Sequence, residues 1–406
     1  MNSLSLHDQI APKDSIRIHE GVVAHYLTVT ALYVFFFADF ANKILIYLGV
    51  DFDRISLFPR ALYELLFLIV IIAGLNRKRF VFLIILTSML VLFIIGQGVN
   101  TISTAIRPAY LENTLLFNKY FFLFIIYYGI YRLQDYPEKF ATTIRTMERL
   151  FIWNAVLASV GFVFSIDLFR TYINQSYRFG YSGILWVQNE ATIMHFVALS
   201  YFYYKRFILG VKSREIYLIL FASLLLGTKG IYLYMSMLLL FHIFYHSSVR
   251  KKIIGLLLIA IGYTIITAIL KTDQAQKTIA YFTSKMNTEG LWYTLFSGRT
   301  QYLDERVKET LSDWSFINYL IGGQDQNRLM IEMDFVDLFL FMGVIGFFAY
   351  FILLFTTVFR FRILKPFNLF FVFSYLTLAF LGGHFFTSVI NALYICLIAM
   401  FFLSKQ

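Results

Sequence analysis

Apolar runs of about 17 to 22 residues recur along the whole chain. Each is as long as an α-helix must be to cross a hydrocarbon core about 30 Å thick at 1.5 Å of rise per residue. A transmembrane β-barrel would instead show segments of about 10 residues alternating in and out. Stretches such as Phe80 to Ile95 are apolar on every face, so helices are the spans this chain can build. Only 15% of its 406 residues are charged, against about a quarter in soluble domains. The runs predict an all-α, polytopic integral membrane protein, with residues 1–406 forming a single membrane domain.

Hydropathy places twelve spans at 22–40, 59–75, 80–97, 115–131, 150–166, 189–204, 215–228, 230–246, 253–270, 335–357, 366–382 and 385–402. The 215–246 stretch is long for one crossing and short for two. Gly227–Thr228–Lys229–Gly230 interrupts it; glycines favour a turn, and a lysine in lipid costs about 2.5–3.5 kcal/mol. It therefore reads as a tight hairpin. Loop charge agrees, because short cytoplasmic loops are rich in Lys and Arg. Arg77–Lys78–Arg79, Arg132 to Arg149, Lys205 to Arg214, Arg250–Lys251–Lys252 and Arg360 to Lys365 all fall on one side if 215–246 is a hairpin. That side is expected to be the cytoplasm, with both termini on it. Much of the net charge of +11 is then topological and calls for no nucleic-acid partner, while membrane lipids are natural contacts of the basic loops. The polar first 21 residues lead into the first run without a small-residue cleavage site, so no removable signal peptide is expected. Cys396 lies inside the last run and reads as a small core residue.

The opposite, external side carries loops at 41–58, 167–188 and, longest, 271–334. Within the last, Tyr302, Leu303, Val307, Leu311 and Trp314 approximate helical spacing among charged residues, which predicts a short amphipathic helix. Gly322–Gly323 is expected to turn the chain back toward the tenth span.

No metal-binding spacing occurs, the seven histidines are scattered, and no phosphate-loop motif is present. No metal or cofactor is expected. Cations from three separate segments gather at the external side instead: Arg178, Lys229 and Arg299. Asn189–Glu190 opens the sixth span, and Glu332, Asp334 and Asp337 lead into the tenth. Three convergent cations suit a dianionic pyrophosphate, and a nearby carboxylate could accept a proton from an attacking hydroxyl. Plainer readings stand beside these: headgroup contacts for Arg178 and Arg299, an interfacial anchor for Lys229, and helix-dipole partners for Glu332 and Asp334. His384, after Gly382–Gly383, reads equally as a base or a structural histidine; His195, inside a span, favours an inter-helical hydrogen bond. Tyr177, Tyr181 and Trp186 flank Arg178 and could stack on sugar rings.

In their order these elements resemble the bacterial O-antigen polymerase and O-antigen ligase superfamily. The likeness rests on Arg178–Gly180, Asn189–Glu190, Gly227–Gly230, Ser297–Gly298–Arg299, Glu332-x-Asp334 and Gly343-x-x-Gly346, and covers about residues 170–350. The hairpin often carries arginine where this chain has Lys229. Ligases tend to place a histidine where this chain has Glu332 and Asp334, which favours a polymerase. The resemblance implies a metal-independent glycosyltransferase of the bacterial inner membrane. It would join undecaprenyl-pyrophosphate-linked repeat units at the periplasmic face, with room for a chain-length regulator as partner. Arg178, Lys229 and Arg299 would hold the pyrophosphate, and Glu332, Asp334 or His384 would be the base. Tyr177, Tyr181, Trp186, Asn189 and Glu190 would meet the glycan. The competing readings are an O-antigen ligase and a non-enzymatic flippase.

Overall fold

The computed structural model describes residues 12–50, 55–104, 109–173, 175, 177–245, 249–325 and 330–405. The described chain is helical, with no strand and one isolated antiparallel bridge, between Arg170 and Tyr181. A helix stands at each of the twelve apolar runs. The first nine are α1 (Pro12–Tyr47), α2 (Leu57–Ala73), α3 (Arg77–Thr104), α4 (Tyr110–Ile130), α5 (Pro137–Val163), α6 (Gln188–Tyr203), α7 (Glu215–Leu225), α8 (Lys229–Tyr245) and α9 (Val249–Leu270). Shorter helices α10 (Asp273–Glu289), α11 (Leu291–Phe296), α12 (Arg299–Ser312) and α13 (Phe316–Ile321) follow. The last three are α14 (Asp334–Thr356), α15 (Pro366–Gly382) and α16 (Val389–Ser404).

Among the described residues four stretches, within α1, within α3, from α4 into the following turn, and along α14, are long and apolar enough to cross a bilayer; α7, α8, α15 and α16 are apolar but shorter. Residues 191–203 of α6 and 389–402 of α16 are buried on every side, as expected of helices that are apolar all round. Around this centre, Ile72, Ile94, Leu240, Phe348 and Phe373 are each more than half exposed. Outward-facing apolar side chains in such number suit a lipid environment better than water.

One end of the bundle is knitted by basic residues. Arg79 is fully buried, pairs with Glu20 at 2.5 Å and donates to the carbonyls of Gly74 and Tyr128. Arg132 approaches the same Glu20 at 3.7 Å, and Lys205 pairs with Glu148 at 2.5 Å. Gln134 Nε2 donates to Met400 O, so the start of α1 and the end of α16 share this end. The side chains of Arg250, Lys251 and Lys252 lie outside the described residues, as do residues 1–11.

The hairpin read from Gly227–Gly230 is present, with one difference. α7 has eleven residues, a rise of about 16 Å, too short to cross a bilayer by itself. The 167–188 segment, expected as an external loop, is packed into the protein: Tyr172, Phe179, Ile184 and Leu185 are buried and the chain lies over the tip of α7. Tyr181 N–H donates to Leu225 O and Thr171 Oγ1 to Leu226 O, each at 2.8 Å. Buried irregular backbone needs partners for its polar groups, and these bonds supply them. Gly227 makes this approach possible, since a Cβ there would lie 2.1 Å from Phe179 O and its φ is +75°.

The expected amphipathic helix is α12. Its Leu303, Val307 and Leu311 pack on a cluster of Trp314, Ile331, Met333 and Leu340, so its apolar face is covered by protein. Gly322–Gly323 enters a break in α14 at Gly343, whose φ is +65°. The carbonyls of Leu340 and Phe341 accept from Gln324 N–H and Gly323 N–H instead of from a continuing helix. A Cβ on Gly343 would lie 2.5 Å from backbone atoms of Leu320, Ile321 and Gly322.

Gly343→Ala should therefore cost about 2 kcal/mol or more, from the left-handed backbone and the collision together. Gly98→Ala, where nothing lies within 4 Å of the added Cβ, should be neutral or stabilising by up to about 1 kcal/mol. Thermal unfolding of the two purified variants in detergent measures the contrast, and equal midpoints would remove the junction's structural role.

Candidate functional site

Arg178, Lys229 and Arg299 lie far apart in sequence, and α10 and α11 bring them to one neighbourhood. Thr278 of α10 accepts from Phe179 N–H and donates to Tyr177 O, both at 2.8 Å, and the Tyr177 ring lies against Tyr281. Tyr177 is thus a docking residue for α10. The next residue on that helix, Phe282, meets two of the cations: Lys229 Nζ is 4.7 Å and the Arg178 guanidinium 5.8 Å from its ring centre. Arg178 also lies over the Tyr172 ring at 3.8 Å and donates to its hydroxyl at 2.8 Å.

Lys229 reaches across the turn after α11, donating to the carbonyls of Thr294 and Leu295 and to Ser297 Oγ. Two residues on, Arg299 opens α12; it pairs with Glu332 at 2.7 Å and donates to the carbonyls of Leu381 and Gly382. Among the described residues neither Arg178 nor Lys229 has a carboxylate at ion-pair distance, and the one carboxylate on Arg299 is 49% exposed. Lys229 and Arg299 each begin a helix, so the positive ends of two helix dipoles add to their charges. Like charges gathered in this way favour an anion between them.

The acidic residues divide by role. Asp334 is 3% exposed, and its carboxylate accepts the N–H groups of His384 and Phe385 at 2.6 Å and of Phe386 at 3.1 Å. Asp337 accepts from Ile331 N–H and Met333 N–H at 2.9 and 3.0 Å. Both carboxylates hold backbone, and the geometry does not offer Asp334 to a hydroxyl. Glu332 stays accessible but is committed to Arg299. His195 bridges helices: its ring contacts Ser223 of α7 at 2.9 Å and Asn154 of α5 at 3.4 Å, and Asn154 in turn accepts from Ile184 N–H. Tyr181 is 4% exposed and packs on Phe162 and Phe179, so neither face of its ring is presented to a sugar.

Beyond the Gly382–Gly383 turn, His384 lines a cleft of about 580 Å³ together with Trp186 and Glu190. Asn189 stands in the first turn of α6 beside Glu190. Polar residues outside the sequence expectation also line it, among them Asp39 and Asn42 from α1, Arg60 and Glu64 from α2, and Asn118 and Lys119 from α4. Arg60 pairs with Asp39 at 2.5 Å and approaches Glu190 at 3.9 Å. Glu64 accepts from Asn118 at 2.5 Å. Asp39 lies nineteen residues along α1 from Glu20, about 28 Å at the helical rise, so the cleft lies at the end of the bundle opposite Arg79. A signal for these residues existed, since ionisable side chains inside apolar runs are functional candidates by default.

Burial holds the pKa of His384 below the ordinary imidazole value. Glu332 and Glu190 oppose that shift, and Arg299 and Lys119 reinforce it. The imidazole is therefore neutral near pH 7 and able to take a proton, between the cation cluster on one side and the cleft on the other. No group of three or more His, Cys, Asp or Glu suited to a metal ion occurs among the described residues. Compared with protein-family models, curated proteins and solved structures, the chain matches none.

Proposed function

We propose that this chain is a twelve-span glycosyltransferase of the bacterial inner membrane, of the O-antigen polymerase kind, joining lipid-pyrophosphate-linked repeat units at the external face. The observation that carries the reading is the juxtaposition of three cations, two lacking a carboxylate partner among the described residues, with a histidine at the rim of a polar cleft. Arg178, Lys229 and Arg299 would hold the pyrophosphate of the donor. The acceptor's hydroxyl, in the cleft, attacks the anomeric carbon; the bond from that carbon to the pyrophosphate oxygen breaks and its electron pair leaves with the pyrophosphate. The hydroxyl proton passes to neutral His384. Charge grows on the leaving group as the bond breaks, so fixed cations stabilise the transition state more than the ground state. Glu332 is half exposed and its pair with Arg299 is cheap to exchange for a phosphate oxygen. With Asp334 holding backbone, His384 is the base that the geometry favours.

The basic end, with Arg79, Arg132 and Lys205, is the cytoplasmic side in this reading, and the start of α1 and the end of α16 lie with it. The cleft then opens to the periplasm, where lipid-linked units are presented.

Arg299→Ala should lower polymer formation from lipid-linked repeat units by roughly 10²–10³-fold, the scale of one lost transition-state donor. A ladder of normal length and amount from the properly inserted variant would end the assignment. Asp334→Asn should instead lower the unfolding midpoint, because it disrupts a backbone clamp, whereas His384→Gln should lower turnover with little change in that midpoint.

Activity should also depend on pH in one direction. A base must be deprotonated, and burial depresses the His384 pKa, so the rate should fall only on acidification below about 6.5, the unperturbed imidazole value. Glu190→Gln removes a group that raises this pKa, so it should move the acid limb to still lower pH. An acid limb retained unchanged in His384→Gln would assign it to another group.

A further inference from the structure

The floor of the cleft contains polar atoms that the fold leaves without partners. Asp39 Oδ2, Asn42 Oδ1 and Arg60 Nε are buried and make no hydrogen bond among the described residues. Asp39 and Asn42 are 3% and 6% exposed. Each unsatisfied buried polar atom costs about 1–3 kcal/mol, so three at one spot in a folded protein point to a ligand that completes them. We infer that this floor is a saccharide subsite taking an uncharged, hydroxyl-rich sugar ring, held by Asp39, Asn42 and Arg60.

The donor and acceptor pattern fits that chemistry. Asp39 and Asn42 are three residues apart on α1 and share a face, presenting two acceptors to neighbouring hydroxyl donors. Arg60 offers a donor to a hydroxyl or ring oxygen. It also fixes the Asp39 carboxylate through the other oxygen, Oδ1, at 2.5 Å, so Oδ2 is set in place before a ligand arrives. Trp186, half-buried, also lines the cleft, and an indole is the kind of flat apolar surface on which the C–H face of a pyranose packs. The volume, about 580 Å³, falls inside the range of about 300–1,000 Å³ usual for small-molecule sites.

Charge selects among sugars. Asp39 is matched by Arg60, and Glu112 and Glu190 line the cleft against one further cation, Lys119. The surplus of carboxylates repels a uronic acid or a phosphate, whereas the cation cluster beyond His384 attracts one. Anionic and neutral parts of a lipid-linked substrate would thus be sorted to opposite sides of one histidine. The identity of the occupant as an acceptor sugar rests on the proposed glycan transfer; binding of a neutral sugar does not.

The test is saturation-transfer difference NMR on the full chain, purified in detergent, with methyl α-glucoside, N-acetylglucosamine and glucuronic acid as probes. The neutral sugars should give difference signals, with glucuronic acid at least tenfold weaker in affinity. Asp39→Asn and Asn42→Ala should each weaken neutral-sugar binding about tenfold. Asn42 Oδ1 has no partner to lose, so Asn42→Ala keeps the test valid if Asp39→Asn fails to fold. Absence of neutral-sugar binding, equal binding of glucuronic acid, or binding unaffected in Asn42→Ala would each overturn the subsite. Ladder formation by the unaltered protein reads the transfer reaction separately. A ladder without Asn42-dependent sugar binding removes the subsite alone, and sugar binding without a ladder removes the polymerase reading alone.

Discussion

The Asp334 carboxylate accepts three successive backbone N–H groups, those of His384, Phe385 and Phe386, across fifty residues of chain. Taking a carboxylate out of water costs several kcal/mol. Charge-assisted hydrogen bonds return about 1.5–3 kcal/mol each, so three of them roughly offset the burial. The clamp ties the start of α14 to the turn between α15 and α16. His384 sits in that turn with φ at +66°, a conformation that costs a non-glycine residue about 1–3 kcal/mol and persists only when its surroundings impose it. Asp334 is what imposes it. Glu332, two residues before the clamp, and Arg299, which donates to Leu381 O and Gly382 O just before it, are positioned by the same junction.

How much of this was legible in the sequence depends on the range of the interaction. Helices at twelve apolar runs follow from local composition, and the hairpin follows from Gly227 to Gly230, because a turn and a buried lysine are both local penalties. The apolar face of α12 follows from spacing. Asp334 and Asp337 looked suited to chemistry because carboxylates at a helix start are exposed to many uses, and sequence does not reveal that backbone N–H groups from a distant turn, or from the preceding loop, will occupy them. Segment 167–188 looked like a free loop because it lacks periodicity. Its burial depends on Gly180 and Gly227 meeting, which is a property of two segments together. Tyr181 lies three residues from Arg178, yet alternation of the extended chain carries it to the other side, against Phe162.

Asp39 and Arg60 show the opposite failure. Their signal was local, a charge near or within an apolar run, but they lie outside the stretch whose motif order carried the family resemblance. α1 and α2 contribute to the cleft because their ends meet the starts of α4 and α6 there. The polar ends of helices that otherwise look like plain hydrophobic spans are where a bundle can assemble a site from many segments.

A site that handles a lipid pyrophosphate and a sugar hydroxyl together faces conflicting electrostatic demands. Cations that stabilise the leaving group also depress a nearby imidazole, which weakens it as a base, while carboxylates that would strengthen the base repel the donor. Here the two populations are separated. Arg178 and Lys229 flank Phe282, whereas Asp39, Glu64 and Glu190 line the cleft. His384 feels both, through Glu332 and Glu190 in one direction and Arg299 and Lys119 in the other. Burial, opposed by the carboxylates and reinforced by the cations, leaves the histidine neutral, and under the proposed reaction it stands where the donor's pyrophosphate and the acceptor's hydroxyl come together, so the proton passes to it there.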